Sequence, residues 1–249
     1  MNSRTMSRSP WLIRLGALLL CLLCNASPSF SQTKFNGSGT GFFISSNGLL
    51  VTAAHVVRDQ EKIMVLYAGK LTKAELIKTD TVNDLALVKV DRSPVAYLHL
   101  GRSENIPVGL EVYAIGFPQV NVQGLSPKFT AGIINSNSGL KGSAKHFQFS
   151  AEIQRGNSGG PLLGTDGTVV GIVLSKLGMN SITDAKMDLP QNVNYALKSN
   201  FIRELLKGIE EIPPSVSINP KSDKRPFEIY RDSVMSVVPV FVTRAESSD

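Results

Sequence analysis

The feature that most restricts this chain is the rhythm of its apolar residues. They come in short runs, each closed by Gly, Asn, Asp or Ser. Gly41-Phe42-Phe43-Ile44, the turn Ser45-Ser46-Asn47-Gly48 and Leu49-Leu50-Val51-Thr52 predict a hairpin. Runs over residues 62–67, 74–77 and 85–90 continue the series. A second group opens near Val108 and covers residues 111–115, 129–135, 147–151, 160–163, 168–174 and 192–197. Strands separated by turn residues at short, regular intervals predict an all-β barrel or sandwich. One helix is expected: Ser199 or Asn200 caps it, Phe201, Ile202, Leu205, Leu206 and Ile209 give one apolar face, and Pro213-Pro214 stops it.

With 249 residues there is room for one or two domains with a buried core. A content of 42% hydrophobic and 18% charged residues excludes a wholly disordered chain and a polytopic membrane protein. The first 31 residues have the layout of a secretory signal peptide. Arg4, Arg8 and Arg14 precede an apolar run of ten residues, Leu15 to Cys24, and Ser29-Phe30-Ser31 offers a cleavage site before Gln32. That run is too short to span a bilayer comfortably, so no stable membrane span is expected once the leader is removed. Three Arg and no acid leave with it, and the net charge of +6 falls to +3. That lowers the case for nucleic acid, since no aromatic-basic stripe accompanies the charge. Both cysteines, Cys21 and Cys24, lie in the leader, where their C-x-x-C spacing has no polar surroundings for redox or metal chemistry. The mature chain is therefore expected to be secreted or periplasmic and held together without disulfides. Three scattered His do not make a metal site, and no cofactor is expected.

Residues 32–212 read as the main body, divided near 101–108, with an extension over 213–249. The 37 residues after position 212 are too few for an independent domain. Their apolar stretch, residues 234–242, is expected to add an edge strand, where Pro239 is tolerated.

Three segments carry chemistry. In Val51-Thr52-Ala53-Ala54-His55-Val56-Val57 a histidine ends an apolar strand among small residues. In Asn83-Asp84-Leu85-Ala86-Leu87-Val88 an aspartate opens a very apolar strand, where burial is expected. In Arg155-Gly156-Asn157-Ser158-Gly159-Gly160-Pro161 a serine sits in a glycine-rich turn. Any one of these is commonly structural; together they make nucleophilic acyl transfer possible. A serine hydroxyl is a weak nucleophile until a base takes its proton, and His55 can do so and later protonate the leaving amine. Asp84 would fix the imidazole tautomer. The glycines free the loop to aim backbone N–H groups at an oxyanion, and Gly156 and Ser158 are the natural donors.

The order His55, Asp84, Ser158, with gaps of 29 and 74 residues, is that of chymotrypsin rather than of subtilisin or the α/β-hydrolases. Thr52-Ala53-Ala54-His55, Asp84-Leu85-Ala86-Leu87 and Gly156-Asn157-Ser158-Gly159-Gly160-Pro161 resemble the three motifs of trypsin-like serine peptidases. Gly37-Ser38-Gly39-Thr40-Gly41-Phe42 resembles the opening of the HtrA/Deg branch, and Val112-Tyr113-Ala114-Ile115-Gly116 and Asn194-Tyr195-Ala196-Leu197 resemble later segments of it. The resemblance covers about residues 35–210. It implies two six-stranded antiparallel β-barrels with a C-terminal helix, His55 and Asp84 from the first barrel and Ser158 from the second. It also implies a serine endopeptidase acting on unfolded or damaged proteins, with protein or peptide substrates as partners. Asn157 stands where digestive relatives carry an Asp that pairs with a new N-terminus, so activation by such cleavage is not expected. The PDZ domains usual in the branch do not fit in the extension.

In this fold the primary pocket is walled by residues just before the nucleophile and by the strand near Val173. Glu152, Ile153, Val173 and Ser175 are the pocket candidates. A carboxylate from Glu152 at the pocket base would favour Lys or Arg; alternatively it faces solvent or pairs with Arg155. His99 reads as structural; His146 could lie on a strand near the pocket, with a surface position favoured. The competing function is a catalytically silent module holding extended peptides as an added strand; an esterase with the same triad is a third reading.

Overall fold

The computed structural model describes residues 35–174, 192–210 and 212–243, so the expected leader and Ser175 lie outside the described residues. The first barrel contains β1 (Gly37–Phe43), β2 (Leu49–Ala53), β3 (Lys62–Tyr67), β4 (Lys70–Asp80) and β5 (Leu85–Val90). The second is built from β6 (Glu111–Gly116), β7 (Lys128–Ser136), β8 (His146–Phe149), β9 (Pro161–Leu163), β10 (Val169–Val173) and β11 (Asn194–Lys198). Short helices α1 (Ala54–Val57) and α2 (Val120–Gln123) follow β2 and β6. After β11 come α3 (Ser199–Leu205), α4 (Pro226–Ser233) and a last strand, β12 (Val237–Thr243). Both sheets close into six-stranded antiparallel barrels, β1-β12-β3-β4-β5-β2 and β10-β11-β8-β7-β6-β9, the fold that the resemblance implied.

The strands that read as continuous apolar runs are buried on both faces. Along β6, Val112 and Ala114 belong to the interior of the second barrel, while Tyr113 and Ile115 join the core shared with the first. Successive side chains of a strand point to opposite faces, so a stave with core on both sides has no polar face to alternate with. The same division separates Leu162 from Leu163 on β9 and Val170 from Val169 on β10.

The expected edge strand is instead an internal stave. β12 pairs with β1 from Gly37↔Val242 to Phe42↔Val237, and with β3 from Val240↔Val65 to Thr243↔Lys62. Asn36 N–H donates to Val242 C=O at the β1 side and Glu61 N–H to Thr243 C=O at the β3 side. Alternate residues therefore address the two neighbours, and Pro239 is in phase with the β3 side. Pairing with β3 begins only at Val240, so the missing N–H of Pro239 breaks no ladder bond.

With β12 counted first, the successive strands of the first barrel are β12, β1, β2, β3, β4 and β5. They close in the order first, second, third, sixth, fifth, fourth, and β6 to β11 close in that same order. The two barrels thus share one topology, and the first takes its opening strand from the far end of the chain. Residues 212–225 make the return journey: Arg102 N–H donates to Val216 C=O at 3.0 Å, and Asn219 N–H donates to the Asp166 carboxylate at 2.6 Å. α4 lies next, with Tyr230 edge-on to Phe129 of β7 at 5.5 Å.

α3 is shorter than the periodicity predicts. It ends at Leu205, with Gly208 at φ +83°, well before Pro213. Ser199 does not cap it. Its hydroxyl donates to Gly101 C=O at 2.6 Å, and Ser103 from the interbarrel segment takes the Asn200 N–H at 3.3 Å. α4 was hidden in a stretch that reads as polar and Pro-containing.

Candidate active site

His55 is the second residue of α1, directly after β2. The turn is tied to the residue ahead of β5, because Ala54 N–H donates to Asp84 C=O at 3.0 Å. The Asp84 carboxylate then receives both His55 groups that face it: backbone N–H to Oδ1 at 2.8 Å, and Nδ1 to Oδ2 at 2.6 Å. A carboxylate oxygen accepts, so Nδ1 carries the proton and Nε2 is left with its lone pair. Asp84 holds this position with φ +55°. Its side chain is 33% exposed, against the deep burial expected. It sits in the turn, and burial begins only at Leu85.

Ser158 is nearly buried on the turn that leads into β9. It lines one cleft of about 620 Å³ together with Ser38, His55, Val56, Gly156 and Val242. The structure thus brings His55, Asp84, Gly156 and Ser158 to one place. The loop before Ser158 is pinned peptide by peptide. Arg155 C=O accepts from Gln119 N–H at 2.9 Å, Gly156 C=O from the Thr40 hydroxyl at 2.6 Å, and Asn157 C=O from Gly160 N–H at 2.9 Å. In a trans peptide the N–H points opposite to the C=O. Holding the Arg155 and Asn157 carbonyls therefore aims the Gly156 and Ser158 N–H groups away from those anchors.

Two glycines here are obligatory. Gly156 has φ +99°, and a Cβ would stand 2.5 Å from Phe117 O. Gly159 has φ +86°, and a Cβ would meet Thr40 O at 2.3 Å. Both are left-handed positions where any side chain is strained. Asn157 is buried, and its Oδ1 has no hydrogen-bond partner among the described residues.

Of the pocket candidates, Val173 brackets the nucleophile turn: its C=O accepts from Gly159 N–H and its N–H donates to Gly160 C=O, both at 2.9 Å. Ile153 is half-buried against the core of the second barrel. Glu152 is exposed, and among the described residues no ion pair links it to Arg155. His146 opens β8 and is half-buried rather than superficial; its Nδ1 lies 3.0 Å from the Ser143 hydroxyl. Burial, with Lys145 and Lys198 adding, holds its imidazole below the ordinary 6.5. His99 is exposed, its ring against Tyr97 at 5.2 Å.

Sequence reasoning missed Thr40, Gln119 and Val242. The first lies inside the segment Gly37-Ser38-Gly39-Thr40-Gly41-Phe42, where the resemblance assigned no role to the threonine. Gln119, in the left-handed region at φ +41°, has no residue-type signal. Val242 reaches the cleft only because of where β12 docks. Among the described residues no group of three His, Cys, Asp or Glu could hold a metal ion, and no helix is long and apolar enough to cross a membrane.

Two antiparallel barrels with a histidine–aspartate pair from one and a glycine-framed serine from the other define the double-barrel serine peptidase class. The sequence profile of the trypsin-like peptidase domain matches residues 39–172, and the chain belongs to that family, with relatives of the HtrA type. Mouse serine protease HTRA4 is 35% identical, aligned over 76% of this chain and 38% of its own. A probable periplasmic serine endoprotease, DegP-like, of Halomonas elongata is 44% identical over 54% of this chain and 28% of its own. The crystal structure of the serine endoprotease from Yersinia pestis superposes with a TM-score of 0.56 at 27% identity, covering 69% of this chain and 57% of that one. The chain spans well under half the length of these two curated relatives.

Proposed function

We propose that the protein is a serine endopeptidase that cleaves protein or peptide substrates by acyl transfer. The observation that carries this is the double engagement of His55 by the Asp84 carboxylate beside Ser158 in one cleft. Nε2 of His55 takes the proton from Ser158 Oγ as that oxygen attacks the scissile carbonyl. The carbonyl oxygen becomes an oxyanion and is met by the Gly156 and Ser158 N–H groups. The imidazolium, stabilised by Asp84, gives its proton to the leaving amine. Water then repeats the sequence on the acyl-enzyme and regenerates Ser158.

The leader-like first 31 residues and the periplasmic naming of DegP-like relatives support action outside the cytoplasm, and the HtrA-type resemblance extends the reading to unfolded or damaged chains as substrates. Exposure of Glu152 removes the carboxylate that would have favoured Lys or Arg in the primary pocket.

A fluorophosphonate probe tests the reading. Ser158 should displace fluoride and become labelled, Ser158→Ala should abolish both labelling and peptide cleavage, and a folded wild-type protein that takes no label would be the silent peptide-binding module instead.

A further inference from the structure

We propose that Thr40 is the positioning residue of the oxyanion loop, its hydroxyl holding the one peptide that lies between the two amides aimed at the substrate. The inference rests on the reading above, in which Gly156 and Ser158 N–H are those amides.

Thr40 is fully buried in β1, at the seam where the first barrel meets the loop of the second. All its polar groups are engaged, and three of the four bonds cross that seam. Its N–H donates to Ser158 C=O at 2.9 Å, and its C=O accepts from the Thr52 hydroxyl at 2.7 Å. Its hydroxyl accepts from Phe117 N–H at 3.0 Å and donates to Gly156 C=O at 2.6 Å. The Phe117 bond decides the polarity: an N–H can only donate, so the hydroxyl proton is free for Gly156. The backbone of Gly116 passes close to the hydroxyl: a Cβ there would lie 3.1 Å from Thr40 Oγ1.

The two flanking peptides are anchored by backbone donors, Gln119 N–H and Gly160 N–H, which no substitution of a side chain removes. The middle peptide is held on its N–H side within the loop, Asn157 N–H donating to Gln154 C=O at 3.0 Å, but its carbonyl depends on a side chain that another segment supplies. Without the hydroxyl, Gly156 C=O loses its protein partner at a half-buried position, and glycine at 156 gives the backbone the freedom to turn it elsewhere. ψ of Gly156 and φ of Asn157 are among the angles that set the Gly156 and Ser158 N–H groups relative to each other, so loosening that peptide loosens their relative aim. A satisfied core threonine with no such role would affect folding only.

The test compares Thr40→Val, which keeps the shape and loses the hydroxyl, with Thr40→Ser, which keeps the hydroxyl; Thr40→Ala serves if valine does not fold. Loss of alignment of one oxyanion donor costs about 10²-fold in turnover. We expect kcat on a peptide substrate to fall by about that factor in Thr40→Val, with KM nearly unchanged, and Thr40→Ser to stay near wild type. Affinity for a peptide aldehyde, whose hemiacetal oxygen uses the same donors, should fall in parallel. Amide hydrogen exchange over residues 155–160 should rise in Thr40→Val and not in Thr40→Ser. Unchanged kcat, or unchanged exchange in a folded Thr40→Val protein, overturns the role of Thr40. A wild-type protein that takes no fluorophosphonate overturns the peptidase reading instead, and the exchange measurement still decides whether Thr40 orders the loop.

Discussion

At the scale of single residues the site is a set of carbonyls and one carboxylate, each holding something else in place. Asp84 does two jobs with two oxygens: Oδ1 holds the backbone of His55, and Oδ2 holds its ring. Asp84→Asn keeps the volume but puts an amide where Nδ1–H needs an acceptor, so the ring turns or adopts the wrong tautomer. Turnover should fall by about 10⁴-fold while KM changes little, as read from steady-state kinetics on one peptide substrate. That His55, Asp84 and Ser158 come together was expected from the chain, because the proposed chemistry demands one residue type in each local setting. Thr40 was not, because its importance lies in the Gly156 carbonyl that another barrel presents to it. For Glu152 the residue type left two settings open, pocket base or solvent, and the side chain is exposed.

Elements are the scale at which periodicity either speaks or misleads. Strands buried on both faces, such as β2, β5, β6 and β10, were legible because they are almost uniformly apolar, whereas the exposed, polar β4 showed only its middle and α4 was missed. Its signals are at its start, with Pro226 in the first turn and Glu228 reaching back to the Arg225 N–H at 2.9 Å. Arg225 in turn holds the Glu228 carboxyl down to about 2. The helix buries one narrow face. Ile229→Ala, at a fully buried position, should cost about 2–4 kcal/mol, while Phe227→Ala, on the exposed face, should cost under about 1 kcal/mol; urea unfolding distinguishes them. β8 adds a pH dependence. His146 has its proton affinity lowered in the fold, chiefly by burial, so below its ordinary 6.5 the unfolded chain binds more protons than the folded one. Stability should therefore fall as pH drops from 6.5 toward the lowered value, and His146→Gln should flatten that part of a urea-midpoint profile.

On the scale of the whole molecule, the order of strands along the chain and their order around a barrel have come apart. β12 is made last, yet it occupies the place that β6 fills in the second barrel, and its Val242 walls the cleft beside His55. A chain ending at Arg225 leaves β1 and β3 as two unpaired edges in an open sheet, which is a template for aggregation rather than a smaller barrel. It should not take a serine probe, and refolding it with a peptide of residues 226–249 should restore labelling of Ser158 in a concentration-dependent way. The same geometry allows a stricter test. Gly37 is paired with Val242, Asn36 N–H donates to Val242 C=O at 2.9 Å, and the rings of Phe35 and Phe241 are 4.9 Å apart, so the end of β12 and the start of β1 are already neighbours. A short loop from Thr243 to Asn36 turns them into a hairpin. A permuted chain that begins at residue 226, crosses that loop and ends at Arg225 keeps every strand pairing of both barrels, and chain ends are well tolerated at exposed connections. That permutant should label with fluorophosphonate at the wild-type rate. If it folds but labels much more slowly, the tie between residues 206 and 225 does more than deliver a strand, and the cleft depends on the path of the chain as well as on the barrels it completes.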